Sequence, residues 1–172
     1  MVLGTDKGGN IYWWIDGAHP VHQDTEGHTG LVILFRHGAA LSVSLKRNIN
    51  TMSSTETETV AISDGMTKNM WVLYFTRAEV KEMKDKLLNE DNTSAISLEN
   101  NGKRSSGKMM KHIKIRYLFV TDNIKQGEVT IIHCPTKEMI ADYFTKPLQG
   151  SLLQYFRDLI MGISMKDNEQ YI

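Results

Sequence analysis

The chain sets out its strands before its helices, and the first strand ends in an acid. Ile11 to Asp16 is a short run of Ile, Tyr and Trp that reads as a strand closing on Asp16. Leu31–Phe35 is a second apolar run, and Arg36-His37-Gly38 turns the chain. Ala39–Leu45 then alternates small, apolar and hydroxyl residues, so the two runs predict a hairpin. A long helix follows. Ser53 is a good N-cap with Glu56 three residues on, a capping box. Ile62, Met66, Met70 and Leu73 recur on one helical face. Beyond it the pattern predicts a short strand over Lys86–Glu90 and a helix opened by Asp91-Asn92 and running to about Glu99. Ile113, Tyr117, Val120 and Ile124 mark a second long helix, ended by Gly127. A β-branched strand over Glu128–Cys134, a short helix over about 138–144 and a last helix over Leu148–Ile163 complete the order. Strands first, then strands alternating with helices, predict an α/β domain with a mixed five-stranded sheet flanked by helices.

With 172 residues, 41% apolar and 23% charged, the chain suits one soluble domain, expected over 11–163. A flexible lead-in over 1–10 and a polar tail over 164–172 are expected at its ends. No run approaches a membrane span of about 18 apolar residues, and the N-terminus has no apolar secretory segment. Cys134 is the single cysteine, which excludes an intrachain disulfide and a cysteine-rich zinc site and suits a reducing compartment. Twenty basic residues balance twenty acidic ones, so only their distribution is informative. Lys103, Arg104, Lys108, Lys111, Lys114 and Arg116 form a stretch without acids, suited to phosphates or equally to a solvated helix face.

Four carboxylates stand at places where chemistry is often built. Asp16 and Asp91 lie at the ends of predicted strands or the start of the next helix, and Glu58 and Asp142 lie early in predicted helices. Hard oxygen ligands on such elements can hold a pair of Mg²⁺ ions, the equipment for hydrolysing a phosphodiester. Taken singly, an Asp after a strand is more often a turn or cap residue. Glu58 lies about 200° around the helix from Glu56, yet Thr55 with Glu58 also satisfies the capping pattern, so the residues alone leave both roles open.

Six blocks occur in a telling order: Tyr12-Trp13-Trp14-Ile15-Asp16-Gly17-Ala18, His28-Thr29-Gly30, Lys46 through Glu58, Asp91-Asn92-Thr93-Ser94-Ala95, Lys111-His112-Ile113-Lys114-Ile115-Arg116-Tyr117, and Ile140-Ala141-Asp142-Tyr143-Phe144-Thr145-Lys146-Pro147-Leu148. In this the chain resembles the ribonuclease H domain of copia-type LTR retrotransposon polyproteins, over about residues 11–163. The resemblance implies a ribonuclease H-like fold and hydrolysis of the RNA strand of RNA–DNA hybrids during reverse transcription. It implies Asp16, Glu58, Asp91 and Asp142 as catalytic metal ligands for two Mg²⁺ ions, with Mn²⁺ as a substitute. Asp16 would bridge both ions, Glu58 and Asp91 completing one site and Asp142 the other. By this position Glu58, rather than Glu56, is the catalytic glutamate. The implied partners are an RNA–DNA hybrid and the reverse transcriptase polymerase domain of the same polyprotein, with no membrane. The implied location is intracellular, in a cytoplasmic virus-like particle with access to the nucleus. Two departures stand out. Thr57 replaces the family's usual Ala, and Pro135-Thr136-Lys137-Glu138 occupies the loop where ribonuclease H enzymes carry a histidine.

Expected substrate contacts are Gly17, Ser53, Ser54, Thr55 and Asn92 for backbone or 2′-hydroxyl groups, and Lys46, Arg47, Lys111 and Arg116 for phosphates. Two decoys are set aside. Gly102 to Lys108 matches seven positions of a phosphate-binding P-loop, but Met109 stands where its Ser or Thr belongs. His19, His22 and His28 sit in a loop without cysteine and read as surface rather than zinc ligands. Trp13, Trp14 and Trp71 read as packing residues. The rival reading is a catalytically silent remnant that binds hybrid or serves a structural role.

Overall fold

The computed structural model describes residues 4–5, 9–18, 27–47, 49, 51, 53–79, 85–101 and 111–163. The tail over 164–172, the P-loop decoy, His19 and His22 fall outside the described residues, as does most of the lead-in. The elements are β1 (Gly4–Thr5), β2 (Ile11–Ala18), β3 (His28–Leu34), β4 (Arg36–His37), β5 (Ala39–Lys46), α1 (Ser54–Glu79), β6 (Lys86–Glu90), α2 (Thr93–Asn101), α3 (Lys111–Lys125), β7 (Thr130–His133) and α4 (Gly150–Met161). Between β7 and α4 lie two 3₁₀ turns, Thr136–Glu138 and Ile140–Phe144, where the sequence predicts one short helix.

The main sheet has the order β5-β3-β2-β6-β7. β2, β3 and β5 form an antiparallel meander, whereas β6 joins β2 in parallel and β7 joins β6 in parallel. The predicted mixed sheet of five strands is therefore observed. Gly4–Thr5 pairs with Arg36–His37 in a separate small ribbon.

Alternation along β2 divides the core. Ile11, Trp13 and Ile15 pack with Leu31 and Ile33 against Ile62, Met66, Met70 and Leu73 of α1 and Val120 of α3. Trp14, Val32 and Leu34 face the opposite way, toward Met139, Ile140, Phe156, Leu159 and Ile160. The helical face read from the sequence of α1 is thus its buried face. Trp71 lies off that face. It is 65% exposed and stacks on Phe75 with ring centroids 5.6 Å apart, which corrects its reading as a core or half-buried packing residue. α1 and α3 run side by side, tied by Arg116 to Asp64, and Arg77 of α1 pairs with Glu128 (2.7 Å) in the segment that follows α3. No described helix is long and apolar enough to cross a membrane.

Candidate active site

Parallel pairing of β2 with β6 sets the position of the acids. Trp14 lies opposite Asn89, and the same register carried two residues further brings Asp16 level with Asp91. Asp16 shares the parity of Trp14, so it projects to the face covered by the Ile140–Phe144 turn. Glu58 reaches the same place from the second turn of α1, whose start is fixed by Ser53. The Ser53 Oγ accepts the Glu56 N–H at 3.2 Å, as the capping box predicts. Thr57, the departure from the family's Ala, is buried and donates its hydroxyl to the Ser53 carbonyl at 3.0 Å. Asn92 caps α2, its Oδ1 accepting the N–H groups of Ser94 (3.0 Å) and Ala95 (3.1 Å), which fixes the chain just after Asp91.

Asp16, Glu58 and Asp91 each offer an oxygen within 4.8 Å of the others. Asp142 joins them through a cation. Lys146 Nζ lies 2.7 Å from Asp142 Oδ1 and 3.4 Å from Asp16 Oδ1. Each acid is held by its own donor. The Gly17 N–H donates to Glu58 Oε2 at 2.9 Å, and the Thr136 hydroxyl donates to Asp91 Oδ2 at 3.0 Å. The Thr145 hydroxyl donates to Asp16 Oδ2, and Lys146 serves Asp142. Two glycines permit the approach. A Cβ on Gly17 would sit 2.9 Å from the Thr57 carbonyl oxygen, so only glycine lets this strand end meet α1 so closely. A Cβ on Gly30 would sit 2.6 Å from the Ala141 carbonyl and 2.8 Å from Thr145 Cγ2, so β3 seats the turn bearing Asp142 through its missing side chain.

The electrostatics follow from crowding acids in a dry place. Burial, then the negative charges of Glu90 and Asp16, push Glu58 up to about 10, against the Gly17 N–H. Burial raises Asp142 to about 6, with Lys146 opposing and Asp16 adding. Burial works against the Lys146 ammonium, but Asp16 and Asp142 outweigh it and leave the lysine raised. Glu90 is a fifth acid that the sequence reading passed over. It is wholly buried and lifted to about 8 by burial, against the Asn92 N–H that donates to its Oε1 at 2.9 Å. Its signal was adjacency to Asp91 at a strand end. Thr136 and Thr145 were also missed as site residues, because their partners lie 45 and 129 positions away and no local pattern links them. Lys146 was missed too, although it stands one helical turn after Asp142.

This donor set fits a divalent cation. Its oxygens are hard carboxylates, the Lys146 ammonium opposes their charge, and among the described residues no His or Cys joins the triad. A metal could be held by Asp16, Glu58 and Asp91, with Asp142 beside Asp16.

The expected substrate contacts divide. Ser53, Ser54 and Thr55 lie at the N-terminus of α1, the first two exposed, and Asn92 lies half-buried beside Asp91. Lys46 ends β5 exposed. Lys111 opens α3, but its side chain is outside those described. Gly17 is at the site, with its N–H given to Glu58. Two of the expected phosphate ligands have partners within the protein. Arg47 is turned inward. It is 3% exposed, donates Nη1 to the Thr57 carbonyl at 2.8 Å and Nη2 to the Ala18 carbonyl, and so ties the end of β2 to α1. Burial lowers its pKa, with Glu58, Asp64 and Asp16 opposing. Arg116 is committed to Asp64 across the α1–α3 contact.

No family model matches the chain. The Retrovirus-related Pol polyprotein from transposon RE1 of Arabidopsis thaliana is 27% identical over 132 residues, 76% of this chain and 9% of the polyprotein. That from transposon TNT 1-94 of Nicotiana tabacum is 24% identical over 132 residues, 77% of this chain and 10% of the polyprotein. The chain thus spans about a tenth of the length of these curated relatives. Among solved structures, LC11-RNase H1 isolated from compost superposes with TM-score 0.56 at 13% identity, covering 80% of this chain and 93% of its own. The N-terminal RNase H domain of a Mycobacterium tuberculosis protein gives 0.57 at 9% identity, covering 85% and 97%. LC11-RNase H1 in complex with RNA/DNA hybrid gives 0.53 at 10%, covering 76% and 88%. The chain is thus similar to a short segment of retrovirus-related Pol polyproteins of plant transposons, and its fold is that of the ribonuclease H structures on which it superposes.

Proposed function

We propose that this domain hydrolyses the RNA strand of an RNA–DNA hybrid during retrotransposon reverse transcription. The observation that carries the reading is the meeting of Asp16, Glu58 and Asp91 within 4.8 Å at the ends of two parallel strands, with Asp142 beside them. A solved neighbour of the same fold is a complex with RNA/DNA hybrid. In the reaction a water oxygen attacks phosphorus and the bond to the 3′-oxygen breaks, leaving a 5′-phosphate and a 3′-hydroxyl. Mg²⁺, when bound, would supply acidity to that water and offset the charge of the leaving oxygen. The chain's own work is positioning. Asp16, Glu58 and Asp91 would hold one ion, and Asp16 with Asp142 a second. The Gly17 N–H, Thr136 and Thr145 keep the acids aimed inward. Ser53, Ser54 and Thr55 at the start of α1, together with Asn92, contact the sugar–phosphate backbone. Contact with the 2′-hydroxyl selects RNA over DNA. Lys46 and Lys111 neutralise phosphates. The polymerase domain of the same polyprotein is the partner that delivers the hybrid.

Cleavage of a labelled hybrid with Mg²⁺ and with EDTA tests this. Cutting of RNA only, lost in EDTA, is expected. Asp91→Asn should lower kcat by roughly 10³-fold, since metal stabilisation of this kind is worth several kcal/mol. Asp91→Asn that cleaves as fast as the parent would overturn the reading.

A further inference from the structure

The Asp16–Asp142 half of the site already contains a cation, and it belongs to the chain. Lys146 Nζ lies 2.7 Å from one acid and 3.4 Å from the other. Both carboxylates are nearly inaccessible, at 2% and 5% side-chain exposure, whereas the lysine side chain is 39% exposed. Two buried like charges without a partner would be costly, so the ammonium is what allows them to sit together. Its placement is not that of a loose surface side chain. The Lys146 N–H donates to the Asp142 carbonyl at 2.9 Å, and the Thr145 N–H donates to the same oxygen at 3.2 Å. The Thr145 hydroxyl is bound to Asp16, and the turn is seated on Gly30. The backbone therefore delivers the ammonium between the two acids. On the other side Glu58 and Asp91 take the Gly17 N–H and the Thr136 hydroxyl rather than an ammonium, and the Arg47 guanidinium, which feels Glu58 and Asp16, is spent on the Thr57 and Ala18 carbonyls.

We propose that Lys146 is a positioning residue that acts as a tethered counter-ion for the Asp16–Asp142 half of the site and must be displaced when a divalent ion binds there. The two halves are then unequal. The triad takes metal readily, and the second half takes it only by expelling a fixed positive charge through the lysine's exposed end. The inference rests on the metal-dependent reading above.

Mn²⁺ binding to the full chain without nucleic acid tests it, read by calorimetry and by the electron paramagnetic resonance of free Mn²⁺. The parent should bind one ion well and a second weakly. Lys146→Met should tighten the second event by about tenfold or more, because a like charge about 4 Å away in a partly buried site opposes the ion by more than one decade. Lys146→Arg keeps the charge and should keep the second event weak. Melting in EDTA should fall for Lys146→Met, and Mn²⁺ should return more stability to it than to the parent. A second event equally weak in Lys146→Met and the parent would overturn the proposal, as would a Lys146→Arg variant that behaves like Lys146→Met. Asp91→Asn separates the two readings. If it leaves the first event intact, the metal-dependent reading fails. If it removes the first event while Lys146→Met leaves the second unchanged, only the role of Lys146 fails.

Discussion

Charge on an arginine says little about where its guanidinium goes, and Arg47 illustrates this. It follows Lys46 in a basic connection, and from sequence both read as phosphate ligands. Folding places one at an exposed strand end and the other inside, across the carbonyls of Thr57 and Ala18. Arg47→Ala should therefore cost stability of about 3 kcal/mol, since two buried carbonyls lose their donors. The salt dependence of hybrid binding by the remaining folded protein should stay as in the parent. Denaturant melts and a salt titration check the two halves, and a shallower salt slope would return Arg47 to the phosphates. The same divide between local and distant information governs the site. The residue types and neighbouring motifs of Asp16, Glu58, Asp91 and Asp142 are visible in the chain. The groups that hold them are not, because Thr145 and Asp16, or Thr136 and Asp91, meet only after the sheet has assembled.

Elements were easier to read than contacts because periodicity is local. β6 spans Lys86–Glu90 as predicted, and β2 runs two residues past Asp16. The last helix starts at Gly150 rather than Leu148, and the Asp142 segment tightens into 3₁₀ turns. That segment is short, begins after Met139, whose backbone (φ −76°, ψ 84°) is not helical, and packs on β3 at Gly30, so tertiary seating rather than helical propensity shapes it. The start of α1 was legible because a cap is a local hydrogen bond. Ser53→Ala should destabilise the protein by about 1 kcal/mol in urea unfolding. Metal binding should survive, because Glu58 lies in the second turn and is held by Gly17 from β2 rather than by the cap. Loss of Mn²⁺ binding in Ser53→Ala would mean that fraying reaches Glu58.

At the scale of the molecule, the site's acidity extends into the interior. Glu99 of α2 is wholly buried, with the hydroxyls of Thr121 and Thr59 near its carboxylate. Burial lifts it to about 9, with the nearby Thr121 and Thr59 hydroxyls opposing and Glu90 adding. The Tyr117 phenol, itself raised by burial with Glu99 adding, stands on the same side. A carboxyl whose folded pKa is raised contributes stability that is complete below its unfolded value. That contribution is lost as pH rises through the folded value. The protein should thus lose stability as pH rises from about 5 toward 9. Glu99→Gln resembles the protonated acid in shape and cannot ionise. Its stability curve should be flatter over this window and should lie above the parent's at the alkaline end, with Glu90 still contributing its own slope. Urea midpoints across the range for both proteins decide it. Parallel curves would mean that Glu99 ionises without cost, and that the interior behind the active site admits water.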